Sequence, residues 1–150
     1  DSPATRFLGG SDITEYRLLG WSHAEPWGRW SDGRDARLIL PIPAYSQPKK
    51  LTVKLQAIFS DNDQFIDFYP LYLTKSESFK GPLSQQWVIK KPDGKNLLET
   101  EAEINLTQQM IDEGVVNLLI HFNNPVSPKN IGMPDDHRLL SIGLISAVFK

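Results

Sequence analysis

Three of the four tryptophans of the chain, Trp21, Trp27 and Trp30, lie in one short segment that also carries charged and polar side chains. These side chains are His23, Glu25, Arg29 and Asp32. An indole ring offers a flat apolar face to the C–H side of a sugar, and the polar groups can hydrogen-bond sugar hydroxyls. The combination is typical of a sugar-contacting surface. It is also typical of a structural corner in which the indole N–H groups bind backbone carbonyls.

The alternation of side chains along a strand divides this segment. If residues 27–31 form a strand, Trp27 and Arg29 share one face, whereas Trp30 lies on the other. We therefore predict that Trp30 belongs to the core and that Trp27 and Arg29 point outward. The sequence leaves two functions open for Glu25 and Arg29. They form either an ion pair that fixes the turn into the strand or a bidentate clamp on a ligand.

A second polar cluster ends a long loop. Residues 124–138 form a 15-residue connection between two apolar segments, which is longer than connections without a function usually are. Its last residues, Asp135–Arg138, combine carboxylates with an imidazole and a guanidinium, and His23 could approach them in the fold. Acid–base and metal sites use these residue types, but polar groups in exposed loops are usually only solvated. We predict ligand contacts from Asp136, Arg138 and His23, with no catalytic residue, bound metal or cofactor.

The sequence lacks the motifs of several other functions. Without cysteine, the chain has neither a disulfide nor a thiolate metal site. No Gly-x-Ser-x-Gly motif is present, and Gly9 and Gly10 have neither a lysine nor a helix behind them to hold phosphate. The run Asp61–Gln64 begins like a calcium loop, but Ile66 stands where such a loop needs glycine. A net charge of -2 argues against a nucleic-acid partner.

The elements that must position these residues are strands. Apolar residues recur at every second position, most clearly over residues 51–59 and 98–106, as half-buried strands require. Further strands are predicted at Ile13–Leu19, Trp27–Ser31, Ala36–Pro41, Phe65–Thr74, Gln86–Lys91, Val115–Asn123 and Leu139–Phe149. About nine short strands predict an all-β fold, a two-sheet antiparallel sandwich of jelly-roll type.

The remaining expectations concern helices and domain organisation. Residues 107–114 predict one short helical turn, capped by Thr107 and Gly114, that bridges the two sheets. The strands at 115–123 and 139–149 are apolar on nearly both faces and should be central. A chain of 150 residues forms one domain, residues 1–150, and no apolar run approaches the ~20 residues of a membrane span. Because it begins at Asp1, we expect it to be a fragment of a larger protein.

Two groups of residues, one near each end of the chain, form a recognisable pattern. They are Ser22, Glu25, Trp27–Ser31, Pro125–Ser127, Arg138–Leu139 and Gly143. The pattern resembles the C-terminal β-sandwich domain of bacterial periplasmic phosphoglycerol transferases, which modify osmoregulated glucans, and similar domains of bacterial membrane glycosyltransferases. The resemblance covers about residues 19–149. It implies a jelly-roll-like accessory domain on the periplasmic or extracytoplasmic face of a bacterial membrane, attached to a transferase whose catalytic machinery is a separate domain.

We therefore expect a non-catalytic accessory domain that binds or positions a bacterial glycan. Its expected contacts are Trp27, Arg29, Glu25, Asp136, Arg138 and His23. Its expected partners are an oligosaccharide and the remainder of the parent transferase, with membrane contact only through that parent. The first alternative is a purely structural sandwich that packs on its parent enzyme. The second is a hydrolase or lyase that uses His23, Asp136 and His137.

Overall fold

The computed structural model describes residues 4–7, 17–44, 47–74 and 77–150, and most of them form strands. In chain order the strands are β1 (Thr5–Arg6), β2 (Arg17–Leu19), β3 (Arg29–Trp30), β4 (Asp35–Pro41), β5 (Lys50–Ile58), β6 (Gln64–Thr74), β7 (Glu77–Lys80), β8 (Gln85–Ile89), β9 (Leu97–Asn105), β10 (Val115–Phe122) and β11 (Ile142–Phe149). One helix, α1 (Gln108–Glu113), and one 3-10 turn, Pro128–Ile131, complete the described elements.

The strands form two sheets. The five-stranded sheet has the order β1-β11-β5-β9, with β3 also paired to β11. The six-stranded sheet has the order β2-β4-β10-β6-β7, with β8 also paired to β6. Every pairing between these strands is antiparallel. The predicted all-β, two-sheet antiparallel sandwich is therefore confirmed.

The main core lies between the sheets, because each central strand turns every second side chain inward. In β5 the burial pattern alternates along almost the whole strand, and in β4 it alternates from Asp35 to Pro41. The buried side chains of β5 and β10 include Leu51, Val53, Leu55, Ala57, Val116, Leu118, Ile120 and Phe122. As expected from their apolar sequences, β10 has a partner on each side, and so does β11.

The short helix follows its sequence signals. The Thr107 side chain accepts a hydrogen bond from the backbone N–H of Met110 at 3.2 Å, which satisfies one free donor of the first turn. Gly114 ends the helix with a φ of 73°, a left-handed conformation that glycine adopts at little cost. Because α1 lies between β9 of one sheet and β10 of the other, the predicted bridge is confirmed.

Two details of the strand prediction differ from the structure. The strands β1 and β7 were not predicted, because neither segment is long enough to show a clear period of two. The predicted strand Trp27–Ser31 is reduced to Arg29–Trp30. Of the predicted strand Ile13–Leu19, residues 13–16 lie outside the described residues, and the remainder is β2. Within the described residues, no helix has the length and apolar composition needed to cross a membrane.

A second, smaller apolar cluster lies on the outer face of the five-stranded sheet. It contains Trp27, Trp30, Ile58, Val126, Ile131 and Leu140, and we refer to it as the tryptophan corner. Its position follows from alternation: Ile142 and Leu144 of β11 face the main core, so Gly143 between them faces outward, and Trp30 is its cross-strand partner. The loop with the 3-10 turn supplies the cover, through Val126 and Ile131.

Candidate functional site

The tryptophan-rich segment folds as an irregular hairpin. Trp21 and Ser31 form an isolated antiparallel bridge, and the Ser22 N–H donates to the Trp30 carbonyl at 2.8 Å. At the tip, Glu25 and Gly28 exchange backbone hydrogen bonds of 2.7 Å and 3.2 Å. Trp27 therefore belongs to the turn and lies outside the strand.

The three tryptophans of the hairpin have different environments. Trp21 packs on the main core, meets Phe122 edge-on at 6.2 Å, and donates its indole N–H to the Arg37 carbonyl at 3.0 Å. Trp30 is only 8% exposed and meets Trp27 edge-on, with ring centroids 5.4 Å apart. Such a pair contributes about 0.5–1.5 kcal/mol beyond its burial. All three indoles thus make packing contacts inside the protein.

The predicted outward face shared by Trp27 and Arg29 is wrong for both residues. Arg29 is the cross-strand partner of Leu144, which faces the main core, so Arg29 lies on the core-facing side of the sheet. The Trp27 ring lies over Gly143, on the same side of the sheet as Trp30, and a Cβ atom on Gly143 would come within 2.6 Å of it. The neighbouring Gly28 approaches the Leu144 carbonyl so closely that it too leaves no room for a side chain. Alternation failed here because it applies only within a strand, and Trp27 precedes β3.

Arg29 and Glu25 do not form the ion pair that was one of their two predicted alternatives. Arg29 is half-buried, its Nη1 donates to the Ser22 carbonyl at 3.5 Å, and its buried Nε has no hydrogen-bond partner in the described structure. The pKa of Arg138 is raised mainly by its hydrogen bonds to Asp136, and the negative charge of Glu25 adds a smaller contribution in the same direction. The hairpin and the long loop are therefore coupled electrostatically.

The end of the long loop is held by a bidentate ion pair. Arg138 donates from Nε to Asp136 Oδ1 at 3.0 Å and from Nη2 to Asp136 Oδ2 at 2.7 Å. The Arg138 backbone N–H donates to Asp136 Oδ1 as well, at 3.1 Å. These bonds are the main reason why the pKa of Asp136 lies below, and that of Arg138 above, its ordinary value, against the opposing effect of desolvation.

Three hairpin side chains attach the loop to the hairpin. Arg138 Nη1 donates to the Ser22 hydroxyl at 2.9 Å, and the Leu139 N–H donates to Asp32 Oδ1 at 3.1 Å. The buried Ser31 hydroxyl accepts the N–H groups of residues 141 and 142, both at 3.1 Å. The two motifs that stand far apart in the sequence are thus one hydrogen-bonded unit.

An open depression of about 740 Å³ lies where hairpin and loop meet, and we refer to it as the loop depression. Its lining consists of His23, Asp32, Met133, Pro134, Asp135, Asp136, His137 and Arg138. The predicted approach of His23 to Asp135–Arg138 is therefore confirmed. Trp27, Arg29 and Glu25 do not line this depression. Asp32 lies in the tryptophan-rich segment but was not among the expected ligand contacts. No signal in the sequence indicated that Met133 and Pro134 would line a depression.

The chemistry of the loop depression is set by the Asp136–Arg138 pair and by the charges of its lining. Both oxygens of Asp136 accept bonds from Arg138, and the lowered pKa of Asp136 opposes its use as a general acid. Among the described residues, no group of three or more His, Cys, Asp or Glu side chains is arranged to hold a metal ion. Apart from its imidazoles, the lining carries three carboxylates and one guanidinium, so its charge disfavours anionic ligands.

The outer face of the six-stranded sheet carries a polar network that sequence reasoning did not single out. Arg37 donates to Asn117 Oδ1 at 3.0 Å across β4 and β10, and His121 hydrogen-bonds Asp35 at 2.9 Å. Asp67 accepts from the side chains of residues 86 and 123, at 2.6 Å and 3.0 Å. These groups bind one another, and register alone decides which of them meet.

Comparison with known proteins supports the fold. No protein-family model matches the chain, and no curated protein sequence matches it significantly. A solved structure described as a non-crystalline cellulose specific carbohydrate-binding module, CBM28, is similar with a TM-score of 0.55. The match has 11% sequence identity and covers 97% of this chain and 92% of that chain. The class of protein defined here is a β-sandwich similar in fold to that module. The sequence comparisons give no support to the resemblance to phosphoglycerol transferases.

Proposed function

We propose that the chain is a non-catalytic module that binds a neutral glycan in the loop depression. The observation that carries the proposal is the arrangement of exposed hydrogen-bonding side chains around an open concavity, on a loop held by the Asp136–Arg138 pair. A volume of about 740 Å³ falls within the usual range of small-ligand sites, roughly 300–1,000 Å³. The fold shared with a carbohydrate-binding module supports the same class of function.

The expected contact residues divide into two groups under this proposal. His23, together with Asp32, Asp135 and His137, offers exposed polar atoms to sugar hydroxyls. Met133 and Pro134 supply apolar surface for the C–H side of the ring. Asp136 and Arg138 line the depression, but their polar atoms are engaged by each other and by Ser22, so they position the loop.

The remaining expected contacts, Trp27, Arg29 and Glu25, support the site from outside it. Trp27 packs over Gly143 of β11, Arg29 binds the Ser22 carbonyl within the hairpin, and Glu25 contributes negative charge near Arg138. We further propose, from the sequence motifs alone, that the module is attached to a glycan-modifying transferase on the extracytoplasmic face of a bacterial membrane. In that setting it would hold the glycan near the enzyme.

Calorimetric titration with a neutral β-glucan oligosaccharide, a cello-oligosaccharide first, tests the glycan proposal. The double variant His23→Ala/His137→Ala removes two exposed donors or acceptors, and it should weaken binding by about 5- to 150-fold if each contributes ~0.5–1.5 kcal/mol. The matched control is His121→Ala, which alters the polar network on the opposite sheet and should leave affinity unchanged.

Two results would overturn the proposal. One is the absence of binding to neutral glucans at millimolar concentration. The other is equal affinity in the native chain and the double variant. A glucan bearing phosphoglycerol groups is the third arm, and it should bind more weakly than its neutral counterpart because of the excess carboxylates. Stronger binding of that anionic glucan would contradict the charge argument.

A further inference from the structure

The side of the sandwich between β8 and β9 is open. In the described structure β9 pairs only with β5, and β8 pairs only with β6, so both are edge strands of their sheets. A groove of about 360 Å³ runs between them, and we refer to it as the edge groove. It is lined by Gln86, Trp87, Val88, Ile89, Lys90, Leu98, Thr100, Glu101 and Ala102.

One end of the edge groove is closed by side chains that take the place of a further strand. The Gln85 amide donates to the Glu103 carbonyl at 2.6 Å and accepts the Asn105 N–H at 2.9 Å. Trp87 Nε1 donates to the same Glu103 carbonyl at 2.8 Å. The Gln85 side chain thus makes the two bonds that the backbone of an added strand residue would make.

These bonds show which backbone groups of β9 point into the groove. Glu103 and Asn105 turn their backbone groups away from β5, whereas Leu106 donates to the Lys49 carbonyl and therefore faces the sheet. Because direction alternates along a strand, the N–H and C=O groups of Glu99 and Glu101 also point away from β5. Within the described residues, their one side-chain contact is a long bond of 3.5 Å from Thr100 Oγ1 to the Glu101 carbonyl.

The surroundings of this open edge specify the side chains of a partner strand. Every second side chain of the partner strand would point toward the sandwich and contact an apolar surface formed by Leu98, Ala102 and the buried Trp87. The other residues would lie beside a row of exposed glutamates, Glu99, Glu101 and Glu103. Of these, Glu99 and Glu103 have lysine partners on β5, at 3.4 Å and 2.8 Å, and Glu101 forms no ion pair within the described residues.

The acidic row also argues against a second copy of this chain. An antiparallel pairing of β9 with its own copy would place glutamates opposite or next to glutamates, which is destabilising in a sheet. A basic strand would meet them with opposite charge. Lys90 also lines the groove but is paired with Asp63 at 3.4 Å. Glu101 is the carboxylate of the row that has no ion pair within the described residues, so charge complementarity at Glu101 selects a basic extended segment as the occupant.

We propose that the edge groove binds an extended peptide in which apolar residues alternate with lysine or arginine, added as a strand to β9 at Leu97–Glu101. Backbone hydrogen bonds to Glu99 and Glu101 hold the peptide, and the alternating side chains give it specificity. Five residues of β9 span about 17 Å, enough for a short segment of a partner protein. This surface is separate from the loop depression and does not depend on glycan binding.

The test uses three synthetic heptapeptides and the full chain. The first alternates lysine with valine, the second replaces lysine with glutamate, and the third is the lysine peptide N-methylated at alternate residues on its bonding edge. Affinity is measured by fluorescence anisotropy, and amide hydrogen exchange is measured by NMR. The lysine peptide should bind and slow exchange at the amides of Glu99 and Glu101, whereas the other two should bind at least fivefold more weakly.

Two variants of the chain complete the test. Glu101→Lys places a positive charge beside the proposed strand and should lower the affinity for the lysine peptide by about fivefold or more. Asp112→Lys makes the same change of charge on the exposed face of α1 and should alter affinity less than twofold.

Five outcomes would overturn the proposal. The first four are no binding at millimolar peptide, binding without protection of the Glu99 and Glu101 amides, equal binding of the acidic peptide, and loss of affinity in both variants alike. Concentration-dependent protection of the same amides without peptide would assign the edge to a second copy, and would equally overturn it.

Discussion

The tryptophan corner and the loop depression are built from the same two segments, yet they differ in almost every physical property. In the corner, the hairpin and the loop bury apolar side chains against each other, with Trp30 8% exposed. In the loop depression, the same segments expose carboxylates and imidazoles around open space. Neighbouring residues in one motif therefore divide between stabilising the fold and presenting a surface. Membership of a motif does not by itself assign a function to a side chain.

The largest effect is expected from truncation in the corner. Trp30→Ala removes a buried indole and its contact with Trp27, and it should lower the free energy of unfolding by about 3–5 kcal/mol. Denaturant unfolding followed by circular dichroism measures this. The matched control is Leu139→Ala, at a side chain that is 38% exposed beside the corner, with an expected change within about 0.5 kcal/mol. Equal losses of unfolding free energy in Trp30→Ala and Leu139→Ala would contradict the conclusion that the tryptophan corner stabilises the fold more than the neighbouring surface does.

An intermediate effect is expected at the ion pair that joins the two regions. Asp136→Asn should cost about 1–3 kcal/mol at pH 7, because a partly buried guanidinium loses its charged acceptor. The pKa of Asp136 is lowered from 3.8 in the folded chain, so its stabilisation is complete above 3.8 and is lost as pH falls through the lowered pKa. The stability difference between the native chain and the variant should therefore shrink at acidic pH.

Urea unfolding of both proteins at several pH values measures that difference. If the difference in unfolding free energy between the native chain and Asp136→Asn stays constant down to acidic pH, the Asp136 side chain stabilises the fold by packing and not by its charge. Asp135→Asn is the control, since Asp135 is exposed and forms no ion pair within the described residues. It should leave the free energy of unfolding at pH 7 unchanged.

The smallest effect, and the one confined to the loop depression, is expected from Asp32→Asn. The amide keeps an oxygen for the Leu139 N–H, so stability should change by less than about 0.5 kcal/mol. Loss of the negative charge should raise the affinity for an anionic glucan, relative to that for its neutral counterpart, by up to about fivefold, or ~1 kcal/mol. Calorimetry with both glucans measures this. A large loss of stability would instead place Asp32 with the structural residues.

Much of the fold could be predicted from the sequence, because strands and caps leave local patterns. The period of two located β5 and β9 to within one residue at each end, and Thr107 and Gly114 marked the helix correctly. The site was predicted only in part. The approach of His23 to the loop was anticipated from chemistry, whereas the placement of Trp27 on the same face as Arg29 was wrong because a turn residue does not follow strand alternation.

The sequence by itself determined the two-sheet class, the central strands and the short helix, since each depends on residues close together in the chain. Only the tertiary structure decided which tryptophan touches which surface, and which atoms of Arg138 are engaged. Gly143, remote in sequence, admits the Trp27 ring, and Ser22 accepts from Arg138 across the same interval of chain. It also decided that, among the described residues, no strand pairs with β9 on the side away from β5. These outcomes depend on which strands become neighbours, and no local pattern encodes that.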